Sequence, residues 1–171
     1  MTLRRDLDIS NIRGTFIAET IYTASQMEEL IAKILKLSEK ESAFFIEQMQ
    51  DENFSDILKY KIIKRYLTEE IKLANIEIAA RGKTVDPKII ERKKKLETFD
   101  GDFNNFKDDI IEFRNQLAHG KKCENKRNVL MIKTKNNRNL HEQPFDNDYC
   151  KNKRNLFITY SKLLQDLSSI L

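Results

Sequence analysis

Between Asp108 and Gly120 the chain reads Asp-Asp-Ile-Ile-Glu-Phe-Arg-Asn-Gln-Leu-Ala-His-Gly, and within it Arg114, Asn115 and His119 are the side chains whose types and spacing could do chemistry. On a helix with steps of about 100°, Phe106, Ile110, Phe113 and Leu117 fall on one apolar stripe. Asp108, Glu112, Asn115 and His119 gather on another face, and Arg114 sits between Ile110, Ile111, Leu117 and Ala118. A guanidinium flanked by apolar side chains must either run its charged end out to water or find a partner. On a sharper reading, this face lies against a second subunit and the Arg lines a shared cleft. His119 stands where the helix should end. There it is either a simple C-terminal cap or, because the helix dipole favours a protonated imidazole, a proton donor working near neutral pH. Asn115, one turn earlier, is placed to orient it.

An Arg followed by Asn, with a His five places on at a helix end and a Gly after it, resembles the R-x4-6-H signature of the HEPN superfamily. Here the signature reads Arg114-Asn115-Gln116-Leu117-Ala118-His119, preceded by the acidic and apolar mixture Asp109-Ile-Ile-Glu-Phe113. The resemblance implies an up-and-down helical bundle, and a homodimer whose two motifs face one cleft. It also implies metal-independent endoribonuclease activity of the kind used in toxin–antitoxin and antiviral defence systems, with no cofactor. RNA would be cut by its own 2′-hydroxyl, leaving a 2′,3′-cyclic phosphate and a 5′-hydroxyl. The residue types suit that reaction. A planar, permanently charged guanidinium can hold two phosphoryl oxygens, and an imidazole can protonate the leaving 5′-oxygen. The chain departs from the family at Lys121. Toxins paired with a nucleotidyltransferase antitoxin carry a modified Tyr two places after the His, so that pairing is not expected here, although another antitoxin or a sensor protein remains a candidate partner.

The basic residues after the motif, Lys121, Lys122, Lys126 and Arg127, are candidates for holding flanking phosphates of RNA. They belong to a lopsided charge distribution: residues 1–120 carry a net −2, whereas residues 121–155 carry +6. A basic segment on a near-neutral body suits a polyanionic partner, although lysine-rich segments also serve solubility alone.

These residues must be positioned by helices. Gly and Pro are scarce, at 4 and 2 in 171 residues, so few turns are available to separate many strands. Ser10 or Asn11 is expected to cap a first helix reaching about Leu37. Ser38 with Glu41 forms a capping box for a second, and Ser55 opens a third that runs to about Ala80. Arg81-Gly-Lys-Thr84 breaks the pattern, and Asp86-Pro87 restarts it as N-cap and first helical residue. Asp100-Gly-Asp102 is a candidate interruption before the motif helix, which should stop at His119, with Gly120 in the left-handed conformation. Beyond a polar stretch at 121–128, Val129–Thr134 reads as a strand, 135–139 as a turn and Leu140–Phe145 as a returning strand. A last helix is expected from about Asp146 to Ile170. The fold class is therefore all-α, a single domain over 1–171. It is a bundle of four to five main helices with a small β-hairpin near 129–145.

No apolar run approaches the roughly 20 residues that span a bilayer, and the polar, charged N-terminus lacks the apolar stretch of a signal peptide. The expectation is a cytoplasmic protein without a membrane partner. Cys123 and Cys150, 27 positions apart with no Cys or His cluster nearby, read as ordinary thiols and not as a zinc site or disulfide. Two other readings of the whole chain stay open: a HEPN-like helical binding or adaptor module without catalysis, and an unrelated helical adaptor in which the motif is accidental.

Overall fold

The computed structural model describes residues 8–51, 55–133 and 140–171. The chain is helical with one small three-stranded antiparallel sheet, as the all-α reading with a hairpin near 129–145 required. Four long helices, α1 (Ile9–Ile34), α3 (Asp56–Arg81), α4 (Pro87–Phe103) and α6 (Asn147–Ile170), are joined by the shorter α2 (Glu39–Asp51) and α5 (Glu112–His119). The strands are β1 (Lys121–Lys122), β2 (Val129–Lys133) and β3 (Leu140–Pro144). None of the described helices is long and apolar enough to cross a membrane. The chain packs as two compact units, each made of two stretches. One holds the described residues up to Tyr22 with Asp108–Thr159, the other Thr23–Lys107 with Tyr160–Leu171.

In the second unit the local signals act largely as written. Ser38 and Glu41 close a reciprocal box: the Glu41 carboxylate accepts from the Ser38 backbone N–H at 2.9 Å and from its hydroxyl at 2.6 Å. Before it, α1 is closed off by Lys36, two residues past its end, which takes a left-handed φ of 55°. The Leu37 N–H bonds back to the Ala32 carbonyl and the Lys36 N–H to that of Lys33, the Schellman pattern. This is why α1 stops at Ile34 and not at Leu37. Gly82, at φ 53°, ends α3, and Asp86 caps α4 by accepting from the Lys88 N–H at 2.9 Å, with Pro87 at the first position. The Asp100-Gly-Asp102 run does not interrupt α4, which continues to Phe103. The break comes one residue later, at Asn104-Asn105. The core of this unit stacks Phe99, Phe103 and Phe106, with Phe103 and Phe106 4.7 Å apart and Tyr160 edge-on to Phe106 at 5.1 Å. Each such buried ring contributes about 2 kcal/mol.

In the first unit α1 is capped by Asp8, two or three residues ahead of the expected Ser10 or Asn11. The Asp8 carboxylate accepts from the Ser10 N–H at 2.7 Å. The sheet has one strand more than the hairpin expected from the sequence, because β1 lies within the stretch that reads as merely polar. Lys121 pairs with Met131 and Lys122 with Leu130. On the other edge of β2, Ile132 pairs with His141 and Lys133 with Leu140. Of the turn expected at 135–139, nothing falls within the described residues. At the start of α6 the Asp146 carboxylate accepts from the Tyr149 N–H at 2.7 Å.

Candidate functional site

The motif helix does not begin as a regular α-helix. Lys107–Ile111 forms a π-helical turn that runs directly into α5. A π turn holds more residues than an α turn, so regular 100° steps no longer give the angular positions of residues before Glu112. Ile110 and Ile111 are both buried, and Arg114 is exposed. The plainer of the two readings of Arg114, a side chain at the surface of its own subunit, thus describes one subunit.

From Glu112 onward the helix is regular, and its inner face is Phe113 and Leu117, at 1 % and 0 % exposure. Phe113 is the hub of an aromatic cluster, edge-on to Phe16 at 5.3 Å and stacked with Phe145 at 6.3 Å, with the Lys153 ammonium 4.8 Å from its ring centre. Burial pushes the Lys153 ammonium pKa below its ordinary value, with Asp109 pulling the other way. The same desolvation raises the Tyr149 phenol to about 12. With Phe113 and Leu117 held in the core, the remaining sides of α5 are fixed.

At its end α5 turns into β1 through Gly120, whose φ of −67° and ψ of 140° are extended, not left-handed as expected. The position needs Gly for space. A Cβ there would stand 2.6 Å from the Gln116 carbonyl oxygen and 3.1 Å from the Ile132 methyl. That close approach lays β2 beside α5. Arg13 of α1 completes the junction, donating to the Ala118 carbonyl at 2.7 Å and to that of Gly120 at 3.4 Å. Two of the carbonyls left over at the helix end are thereby satisfied on either side of His119.

Between α5 and the sheet edge lies a cleft of about 370 Å³. Of the residues proposed from the sequence, it brings together Asn115, His119 and Lys121. Asn115 is half-buried, whereas His119 and Lys121 are exposed. Arg114 does not line it, nor do Lys122, Lys126 and Arg127. Lys122 lies 3.9 Å from the Asp8 carboxylate. Lys126 is held by Glu142 at 2.5 Å, which raises its ammonium pKa. The Arg127 carbonyl accepts from the Ile9 N–H at 2.8 Å, and its side chain is exposed. Three residues outside the proposed site set now belong to the site. Glu112 and Lys133 line the cleft, and Arg13 buttresses its floor. Glu112 is visible in the sequence on the polar face of the motif helix. Lys133 carries no local signal, because only pairing with Leu140 across the sheet places it at the cleft.

The cleft is lined by the Lys121 and Lys133 ammonium groups and the His119 imidazole, with one carboxylate and two amides on its helical wall. Such a lining suits a phosphodiester: positive side chains for the oxygens, an imidazole to move a proton. Among the described residues no group of three or more His, Cys, Asp or Glu side chains is placed to hold a metal ion. Comparison of the chain with known protein families, with curated proteins and with solved structures finds no match.

Proposed function

We propose that the protein is a cytoplasmic, metal-independent endoribonuclease of the HEPN kind, acting as a homodimer. His119 gives a proton to the leaving 5′-oxygen, Asn115 orients His119, and Arg114 stabilises the charge that builds on the phosphorus. The observation that carries this reading is the cleft beside α5. It seats the imidazole of the motif, Asn115 and a lysine in one recess of about 370 Å³. Arg114 and His119 are five residues apart, about 140° around α5. Arg114 therefore serves this chemistry only when a second copy, paired along α5, brings a guanidinium to the cleft. Lys121 holds a neighbouring phosphate, and Lys122, Lys126 and Arg127 extend the positive surface along the RNA. The setting that goes with the resemblance is antiviral defence or a toxin–antitoxin pair, with an antitoxin or sensor protein restraining the enzyme.

The test is RNA digestion in EDTA with end-group analysis. The expected products carry 2′,3′-cyclic phosphate and 5′-hydroxyl ends. Arg114→Ala and His119→Ala should each be inactive, and mixing the two after subunit exchange should restore cutting, since in the mixed dimer the His119 of one copy meets the Arg114 of the other. No cleavage by the wild type would overturn the reading. Two inactive variants that fail to complement would overturn the shared site. In cells, toxicity on expression that His119→Ala relieves would support the defence setting.

A further inference from the structure

The cleft holds a carboxylate that the motif does not account for. Glu112 lies seven residues before His119 on the same regular stretch of α5, so the two side chains leave nearly the same face, about 10 Å apart along the axis. Asn115 and Gln116 fill the wall between them, and Lys121 and Lys133 face them from β1 and β2. Among the described residues no ion pair engages either lysine. Among the described residues the titratable groups of this cleft are Glu112 and His119 from α5, Lys121 from β1 and Lys133 from β2, with apolar Leu140 the lining residue from β3.

In cleavage by the 2′-hydroxyl, the entering 2′-oxygen, the phosphorus and the leaving 5′-oxygen lie nearly in line. A base on one side and an acid on the other must therefore span two hydrogen bonds and two stretched P–O bonds, roughly 9 Å in all. Two side chains on one helix face, two turns apart, match that span. On the nuclease reading just given, on which this rests, we infer that Glu112 is the general base and that Lys133 holds a non-bridging oxygen of the scissile phosphate between it and His119. Glu112 takes the proton of the 2′-hydroxyl as the O2′–P bond forms. The P–O5′ bond breaks, and His119 gives its proton to the 5′-oxygen. The cyclic phosphate and the 5′-hydroxyl leave, solvent takes the proton from Glu112 and returns one to His119, and nothing else is consumed.

The two roles separate when the leaving oxygen is replaced. At the bond the wild type cuts, an oligoribonucleotide with a bridging 5′-sulfur expels a thiolate that needs no proton. Glu112→Gln should cut both the ordinary and the sulfur-bridged RNA about 10²- to 10⁴-fold more slowly than the wild type. His119→Ala should lose a similar factor on ordinary RNA and recover most of it on the sulfur substrate. Glu112→Asp, which keeps the carboxylate and guards against a folding effect of Gln, should retain far more activity than Glu112→Gln. Lys133→Ala should weaken RNA binding and reduce its salt dependence by about one counterion. Wild-type cutting by Glu112→Gln, or its rescue by the bridging sulfur, would overturn the assignment of Glu112 while leaving the nuclease reading intact. A wild type that cuts no RNA would overturn both.

Discussion

The Arg13 guanidinium donates to the backbone carbonyl of Ala118 across 2.7 Å, although the two residues are 105 positions apart in sequence. It also reaches the Gly120 carbonyl, so the peptide units on both sides of His119 are held by a charge from α1. A charged donor on carbonyls at a helix end is worth more than a neutral one and follows the dipole. Arg13→Met keeps the apolar stem and removes the donor. It should lower stability by about 1 to 2 kcal/mol, measured by urea denaturation. It should also reduce RNA cleavage by more than the stability loss explains, read at a temperature where both proteins are fully folded, because His119 loses its fixed backbone. Unchanged cleavage by folded Arg13→Met would show that the cleft does not need this tie.

Gly120 should tolerate no side chain, for a reason of space. Its backbone is in an ordinary extended conformation, so Ala meets no torsional penalty. Its Cβ, however, would lie 2.6 Å from a backbone oxygen, which cannot swing aside. Gly120→Ala should destabilise by about 1 to 3 kcal/mol as β1 is pushed from α5. Gly14 provides the control. It sits within α1, and a Cβ added there would meet nothing within 4 Å, so Gly14→Ala should stabilise by about 0.5 to 1 kcal/mol. Equal melting shifts for the two variants would contradict the steric explanation.

These contrasts show what is legible in the sequence. Signals that act within a few residues are readable in kind: the Ser38/Glu41 box, the Asp86-Pro87 start, the return from Val129 to Leu140. Gly120 is recognisable as a helix end, but the Ile132 methyl that closes on it from β2 at 3.1 Å is not visible in the sequence. β1 escapes a sequence reading because Lys121-Lys122 has no strand-like residues and pairs only because β2 lies beside it. The π turn before α5 breaks the helical wheel for Ile110 and Ile111, and with it the sandwiched Arg114. Asn115, His119 and Glu112 can be placed on one face by counting along α5. Lys133 and Arg13 reach the site by tertiary packing and cannot.

Two helix caps predict how stability responds to acid. Hydrogen bonds from Ser10 hold the Asp8 carboxyl below its ordinary range, helped by Lys122 and Arg127, and hydrogen bonds from Ser38 do the same for Glu41. A carboxyl whose pKa falls on folding stabilises the fold while ionised. Its contribution is complete above the ordinary carboxylate pKa and disappears as the pH drops through the lowered folded value. Asp8→Asn and Glu41→Gln should therefore lower the denaturation midpoint near neutral pH, and the gap from the wild type should close on acidification below the ordinary carboxylate range. A gap that is the same at both ends of the titration would mean the charges play no part in capping.

The second unit buries an ion pair whose dissection should be strongly asymmetric. The Lys59 ammonium lies 2.5 Å from the Glu28 carboxylate, with side-chain exposures of 5 % and 3 %, and the other Glu28 oxygen accepts from Gln50 at 2.8 Å. Asp56 lies 3.6 Å from the same ammonium. Removing one partner leaves the other charge buried, so Lys59→Met should cost about 3 to 5 kcal/mol. Removing both removes the desolvation as well. Glu28→Leu combined with Lys59→Met should therefore recover most of that loss, because apolar side chains of similar length fill the same space in a core that includes Met27, Ile31 and Ile63. Urea denaturation of the two singles and the double forms the cycle. A double variant as unstable as the sum of its singles would show that Glu28 and Lys59 act on the fold independently, through packing and not through their charges.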